Sequence, residues 1–276
     1  MTININGKLL DLSTPKIMGI LNITPDSFYD GGIFNSEKKI LNQVEKMIND
    51  GADIIDVGGY SSRPGAKQVE LEDEIKRVVP VIKLIKNKFS KTIISVDTFR
   101  SEVAQKAIDS GASIVNDISA GELDSNMFNC VAQLKVPYIL MHMKGNPGNM
   151  QNKPKYKNVV HDIIKNLSEK IFLARENGIM DIIIDPGFGF GKTIEHNYEI
   201  LNDLLFFKEL DCPIMVGVSR KSMIYNLLKN KPEDALNGTT CINTIALLSG
   251  ANILRVHDVK EAKEVVQLTN FLKKTT

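Results

Sequence analysis

The chain has 276 residues, 43% of them hydrophobic and 24% charged, a balance that supports a sizeable core and excludes extensive disorder. Its formal net charge of +1 offers no global field to nucleic acid or to an anionic membrane, so neither is expected as a partner. Cys130, Cys212 and Cys241 are far apart and lack histidines at zinc-ligand spacing. They read as reduced thiols, and with no leader-like segment and no apolar run near the ~20 residues of a membrane span, a cytoplasmic protein is expected.

Residues 1–14 begin as a short hairpin, with Asn6-Gly7 as the turn dipeptide. After Pro15, short apolar runs alternate with stretches of helical periodicity. The runs are KIMGIL (16–21), DIIDVG (53–58), TIISVD (92–97), SIVNDI (113–118), YILMHM (138–143), DIIIDP (181–186), PIMVGV (213–218) and NILRVH (252–257). Their near-continuous apolar character is that of parallel strands buried on both faces. Apolar stripes in 36–50, 71–88, 100–110, 158–177, 196–209 and 258–273 predict helices between them. DGADIID, SGASIVND and SGANILRV share a Gly-Ala turn from helix into strand. Eight strands alternating with helices predict an α/β fold, a single-domain (β/α)8 barrel spanning about 15–273; an open doubly wound sheet is the alternative. The polar, Pro- and Gly-containing stretch 144–157 reads as a long loop after the fifth barrel strand.

Nearly every predicted strand ends in polar residues: Asn22, Asp56, Asp97, Asn116 with Asp117, His142, Asp185, Ser219 with Arg220, and Arg255 with His257. A barrel gathers its strand C-terminal ends at one face, where such folds place active sites. Any single one of these residues could be a helix cap or turn former, and Asp56 and Asp117 read that way. Together they predict a mouth for a ligand with hydrogen-bond donors and an anionic group. Two glycine-bearing loops, 22–32 and 58–66, flank that mouth. SRKS (219–222) opens a helix, an expected anion site. GFGFGKT (187–193) fails the P-loop pattern, because Pro186 stands where a glycine is required, and it also fails the dinucleotide fingerprint. Its glycines would instead let Phe190 reach across a ligand. Lys192 has no assigned part. His142 is expected to support the core, and His161 and His196 to lie on the surface.

The motifs GILNITPDSF (19–28), DVGGYSSRPGA (56–66), SVDTFRSEVA (95–104), VNDISAG (115–121), MHMKG (141–145), DPGFGFGKT (185–193), GVSRKSM (217–223) and RVHDV (255–259) closely resemble the dihydropteroate synthase family, in order, from about residue 16 to about 273. The resemblance implies condensation of 6-hydroxymethyl-7,8-dihydropterin pyrophosphate with p-aminobenzoate, with the leaving group departing before the amine attacks. It implies Asp97, Asn116, Asp185, Lys221 and Arg255 as the pterin-holding set, and Asn22, Arg63, Arg255 and His257 on the pyrophosphate side. It implies Ser62, Arg63, Pro64, Phe190, Lys221 and Ser222 around p-aminobenzoate, with that substrate's carboxylate at the helix beginning near Ser222. Asp97, Lys221, Arg255 and Arg63 are the implied catalytic residues, Asn22 the implied ligand of Mg²⁺, and a homodimer the implied assembly.

Two stretches depart from the family's wording. Tyr60-Ser61-Ser62 replaces the common Glu-Ser-Thr, removing a charge and a methyl, and GNPGNM (145–150) replaces a Gly-Thr-Pro stretch. A pterin-binding methyltransferase would share the barrel and its acids but needs no pyrophosphate grip, which the Arg63 loop and SRKS supply. A sugar-phosphate lyase or isomerase would need a strand-end lysine or a metal cluster. A non-catalytic pterin-binding protein is the rival of another class.

Overall fold

The computed structural model describes residues 1–23, 33–60, 69–145, 150 and 154–275. Strands β1 (Thr2–Ile5) and β2 (Lys8–Asp11) form the expected antiparallel hairpin, Thr2 opposite Asp11. The barrel strands follow: β3 (Lys16–Asn22), β4 (Ile54–Gly58), β5 (Ile93–Asp97), β6 (Ile114–Asp117), β7 (Tyr138–Met141), β8 (Ile182–Asp185), β9 (Met215–Val216) and β10 (Ile253–Val256). All pair in parallel, in the order β8-β7-β6-β5-β4-β3-β10-β9. A parallel bridge between Ile184 and Ile214 joins the two ends, and Ile184 N–H donates to Pro213 O at 2.9 Å. The sheet is a nearly closed eight-stranded barrel with helices outside, not an open sheet.

Helices α1 (Ile33–Asn49), α2 (Leu71–Lys88), α3 (Ser101–Asp109), α4 (Met127–Leu134), α5 (Val159–Glu176), α6 (Ile194–Asn202), α7 (Ser222–Tyr225), α8 (Leu236–Leu248) and α9 (Val259–Lys274) surround the strands. α2 shows why such segments are helical. Val78, Val81, Ile82 and Ile85 bury one stripe, with Glu72, Asp73 and Glu74 in the first turn and Lys86 and Lys88 in the last, matching the helix dipole. The shared Gly-Ala turn is a helix C-terminal motif. Gly51, Gly111 and Gly250 take φ of 101°, 111° and 102°, and the next alanine N–H reaches back to Met47, Ala107 and Ala246 O at 2.9, 3.0 and 3.0 Å.

Three segments depart from the pattern expected of the sequence. The helix expected over 196–209 splits into α6 and a 3-10 segment, Leu204–Leu210. α4 is short, and α8 (LNGTTCINTIALL) mixes threonines and apolar residues without a clean stripe, so neither is announced by periodicity.

Inside the barrel, side chains stack in layers two residues apart. Met18, Ile54, Ile114, Ile139, Ile183, Met215 and Ile253 make an apolar floor, sealed from below by Ile3, Ile5 and Leu12 at the hairpin. Asp56, Ser95, Asn116, Asp185 and Arg255 follow two residues later on their strands, on the same inward phase.

Candidate active site

Asp56 and Arg255 are the centre of this upper layer. The Asp56 side chain is wholly buried, and its Oδ2 accepts from Arg255 Nε at 2.7 Å and from Asn116 Nδ2 at 3.2 Å. Arg255 Nη2 donates to Asp97 Oδ2 at 2.6 Å. One guanidinium therefore bridges two carboxylates through separate N–H groups, which fixes its plane. Burial works against the charge on Arg255, but Asp56 and Asp97 hold it firmly protonated. Burial raises the Asp97 carboxyl to about 7; Arg255 opposes the rise, while Asp56, Glu74 and Asp117 add to it. Among the described residues, Asp56 Oδ1 and Ser95 Oγ lack hydrogen-bond partners, and the two residues are register neighbours on β4 and β5.

Asp185 stands across Gly217 from Arg255: a Cβ placed on that glycine would lie 3.8 Å from Arg255 Cβ and 4.0 Å from Asp185 Oδ2. Asp185 Oδ1 is held by Gly187 N–H at 2.7 Å. Burial raises its pKa, countered by Lys221, the Gly187 N–H and Arg255. Lys221 Nζ donates to Phe188 O at 2.6 Å and lies 4.8 Å from the centre of the Phe190 ring. Burial lowers the Lys221 amine to about 8, with Asp185 pulling it up and Arg255 pushing it down.

At the rim, Gly58 separates Asn22 from Asp97, a Cβ there lying 3.4 Å from Asp97 Cβ and 3.6 Å from Asn22 Oδ1. His257 Nδ1 is 3.0 Å from Ser219 Oγ. Ile118, Met141, Met143 and Met150, with Phe99 and Phe190, form an apolar group beside the charged residues. Ser62, Arg63 and Pro64 lie outside the described residues, as does most of the 22–32 loop. The flanks of the 58–66 loop are anchored. Arg100 donates to Val69 O and Glu74 Oε2, both at 2.8 Å, and packs against the Tyr60 and Phe99 rings. Arg77 Nη1 donates to Gly59 O at 3.1 Å.

Some strand-end residues serve other ends. Arg220 does not face the mouth: its Nε and Nη2 grip Asp258 at 2.9 Å each, and its Nη1 donates to Pro232 and Glu233 O. The expected helix start at SRKS is only the four-residue α7, with Lys221 as its N-cap and Ser222 as its first residue, so little helix dipole stands behind it. Asp117 has the outward phase and ties Tyr138 OH, Ser119 and Gly121. His142 is buried and held neutral, its pKa lowered to about 2 chiefly by burial and then by Lys192. His161 is exposed on α5, whereas His196 caps α6 reciprocally with Thr193. Asp56, read from sequence as a turn former, organises the layer. Its signal is parity: it lies two residues after Ile54, in phase with Asn116, Asp185 and Arg255.

Among the described residues, no group of three or more His, Cys, Asp or Glu side chains could hold a metal ion, and no helix is long and apolar enough to cross a membrane. The family model for pterin binding enzymes matches residues 18–257. The chain belongs to this family. It is 45% identical to the dihydropteroate synthase of Escherichia coli (strain K12) over 264 residues, covering 95% of this chain and 93% of that one. With the Haemophilus influenzae dihydropteroate synthase the identity is 43%, covering 97% and 98%. Among solved structures, Yersinia pestis dihydropteroate synthase in a sulfonamide drug complex superposes with a TM-score of 0.93 at 38% identity, covering 100% of both chains. The Xanthomonas albilineans enzyme with 4-aminobenzoic acid gives 0.91 at 37% identity, covering 99% of this chain and 98% of that one. The activity is accordingly that of a dihydropteroate synthase, a transferase of folate biosynthesis acting on small molecules. Methyl transfer and non-catalytic binding are not favoured.

Proposed function

We propose that the charged upper layer holds the dihydropterin pyrophosphate and drives loss of its pyrophosphate before p-aminobenzoate attacks. The observation that carries this reading is Arg255 bridging Asp56 and Asp97 with Asp185 across Gly217. A pterin's aminopyrimidinone edge offers adjacent N–H donors, which a carboxylate accepts as a pair; Asp185, oriented by Gly187, is the acceptor. Asn116 donates one hydrogen to Asp56, which leaves its amide oxygen to accept from the ring edge. Lys221 donates to the ring carbonyl and N5.

Breaking the C–O bond leaves positive charge on the pterin and negative charge on the pyrophosphate. Asp97 stabilises the first; Arg255, His257 and Arg63 stabilise the second, and all but Arg63, outside the described residues, are held before substrate arrives. The arylamine of p-aminobenzoate is neutral at pH 7, so its lone pair attacks without a strong base. Phe190, Lys221, Ser222, Ser62, Arg63 and Pro64 take that substrate. Relatives from Yersinia pestis and Xanthomonas albilineans are solved with a sulfonamide drug and with 4-aminobenzoic acid, which supports p-aminobenzoate as the second substrate. Sulfonamides should compete with p-aminobenzoate here, and purely noncompetitive inhibition would contradict the pocket.

The Asn22 amide oxygen beside Asp97 fits Mg²⁺, a hard ion that accepts one or two protein oxygens when phosphate and water complete its shell. When bound, the ion would neutralise charge on the diphosphate. A homodimer is supported by Ile245 and Leu248 on α8 and Leu268, Phe271 and Leu272 on α9, exposed apolar residues on two helices packed together. Three free thiols support a reducing, cytoplasmic setting.

The deciding experiment is a steady-state assay of pyrophosphate release with and without p-aminobenzoate. Release that depends on p-aminobenzoate supports the reading, and release indifferent to it, or none, rejects it.

A further inference from the structure

The segment Gly187-Phe188-Gly189-Phe190-Gly191-Lys192 alternates glycines with larger residues, and all three glycines are left-handed, with φ of 71°, 82° and 63°. Space as well as conformation requires them at two positions. A Cβ on Gly187 would fall 1.9 Å from His142 O, and one on Gly191 would fall 2.5 Å from Lys144 O. The loop folds tightly around a single group, the Lys192 amine.

Lys192 is 3% exposed. Its Nζ lies 2.8 Å from Gly187 O, 2.9 Å from Phe190 O and 3.0 Å from His142 Nδ1, with His142 O at 3.3 Å. A lysine side chain carries at most three N–H groups, a number that matches the three closer partners. These partners are neutral, and the two loop carbonyls belong to the turn that shapes the mouth. Burying an amine among neutral partners is costly, so the arrangement needs a reason beyond filling space.

The connections supply one. Gly187, whose carbonyl Lys192 holds, gives its N–H to Asp185 Oδ1 at 2.7 Å. Phe190, whose carbonyl Lys192 also holds, sets its ring 4.8 Å from Lys221 Nζ. Lys221 is tied to the same loop through Phe188 O at 2.6 Å. We infer that Lys192 is a positioning residue: it pins the 187–191 loop so that Asp185 presents its second oxygen, and Phe190 and Lys221 their faces, to the pterin and p-aminobenzoate. A nucleophilic role does not fit, because the amine is enclosed by the acceptors it serves. His142 completes the pin as a neutral ring, its Nδ1 3.0 Å from the amine. Burial lowers the Lys192 amine well below the usual lysine range, with Asp185 pulling the other way, so the pin and the carboxylate also share one electrostatic balance.

This inference rests on the reading that Asp185 holds the pterin, and a double-mutant cycle separates the two. The affinity for 6-hydroxymethylpterin is measured by calorimetry in the wild type, Asp185→Asn, Lys192→Met and the double variant, with thermal melts to confirm folding. If Lys192 acts through Asp185, each single change weakens binding at least about tenfold, and the double variant binds within about twofold of Asp185→Asn alone. Fully additive losses overturn the inference, as does wild-type affinity in Lys192→Met beside a weakened Asp185→Asn. Unchanged affinity in Asp185→Asn overturns the reading of the site, and the inference with it. Should Lys192→Met not fold, Lys192→Gln retains two N–H donors without charge, and the same cycle applies.

Discussion

The lower and upper layers of the barrel interior are built by the same strands, two residues apart, and have opposite chemistry. Below, Met18, Ile54, Ile114, Ile139, Ile183, Met215 and Ile253 close a dry floor against the hairpin. Above, Asp56, Asn116, Asp97 and Arg255 form a network in which one arginine ties two acids together, and Asp185 stands across Gly217 from it. The floor gains stability by excluding water. The upper layer gives stability up by burying charge, and recovers it only while each partner is present. The contrast teaches that fold and function are divided by height in this barrel, so substitutions in the two layers should fail differently.

The sharpest break is Arg255→Ala. Turnover should fall on the order of a hundred- to thousandfold, because a preorganised donor at the leaving group is lost. Stability should fall by about 3–5 kcal/mol as well, since the buried Asp56 loses its cationic partner and keeps only the Asn116 amide. Near-normal turnover would remove Arg255 from the site. In the floor, Ile183→Ala should cost about 2–5 kcal/mol in denaturant melts while leaving KM for both substrates unchanged below the transition. A raised KM would mean that the layers are not independent. Asp185→Asn should weaken pterin binding at least about tenfold with little loss of stability, a factor worth about 1.4 kcal/mol. Equal affinity by calorimetry would reject the donor-pair argument.

The smallest effect sharpens the comparison through pH. Lys221 is lowered to about 8, so its ammonium is present below that pH and lost above it. kcat/KM should therefore fall as pH rises through about 8. Asp185 pulls the Lys221 amine up, so Asp185→Asn should move this alkaline limb to lower pH. A limb that stays in place, or moves upward, assigns it to another group.

Much of this division is written in the sequence. Parallel strands covered on both faces have to be apolar throughout, and the eight runs appear as barrel strands; KIMGIL, for example, becomes β3, with Ile17 and Met18 fully buried. Asp97, Asn116, Asp185, Lys221 and Arg255, expected at one mouth, are brought together there. Phase along the strand is what strand-end position alone does not convey. Asp56 and Asp117 look alike as acidic strand ends, yet one faces Arg255 and the other faces Tyr138 among the helices. Arg220, expected at the anion site of SRKS, pairs instead with Asp258, which is 38 residues away and which only the folded chain brings to it. Helix α8 escaped because both its faces carry apolar residues, some packed inward and some, such as Ile245 and Leu248, exposed. The part of Lys192 is hidden because all its partners but His142 Nδ1 are backbone carbonyls, which no side-chain pattern encodes.

A co-crystal structure with the pterin pyrophosphate and p-aminobenzoate bound tests the division most directly. The pterin ring should sit above the Asp56–Arg255 pair, its N–H edge on Asp185 and its pyrophosphate toward Asn22 and His257, with the floor residues unmoved. A pterin bound away from Asp185 and Arg255, or reaching into the floor between Ile54 and Ile183, would contradict the account.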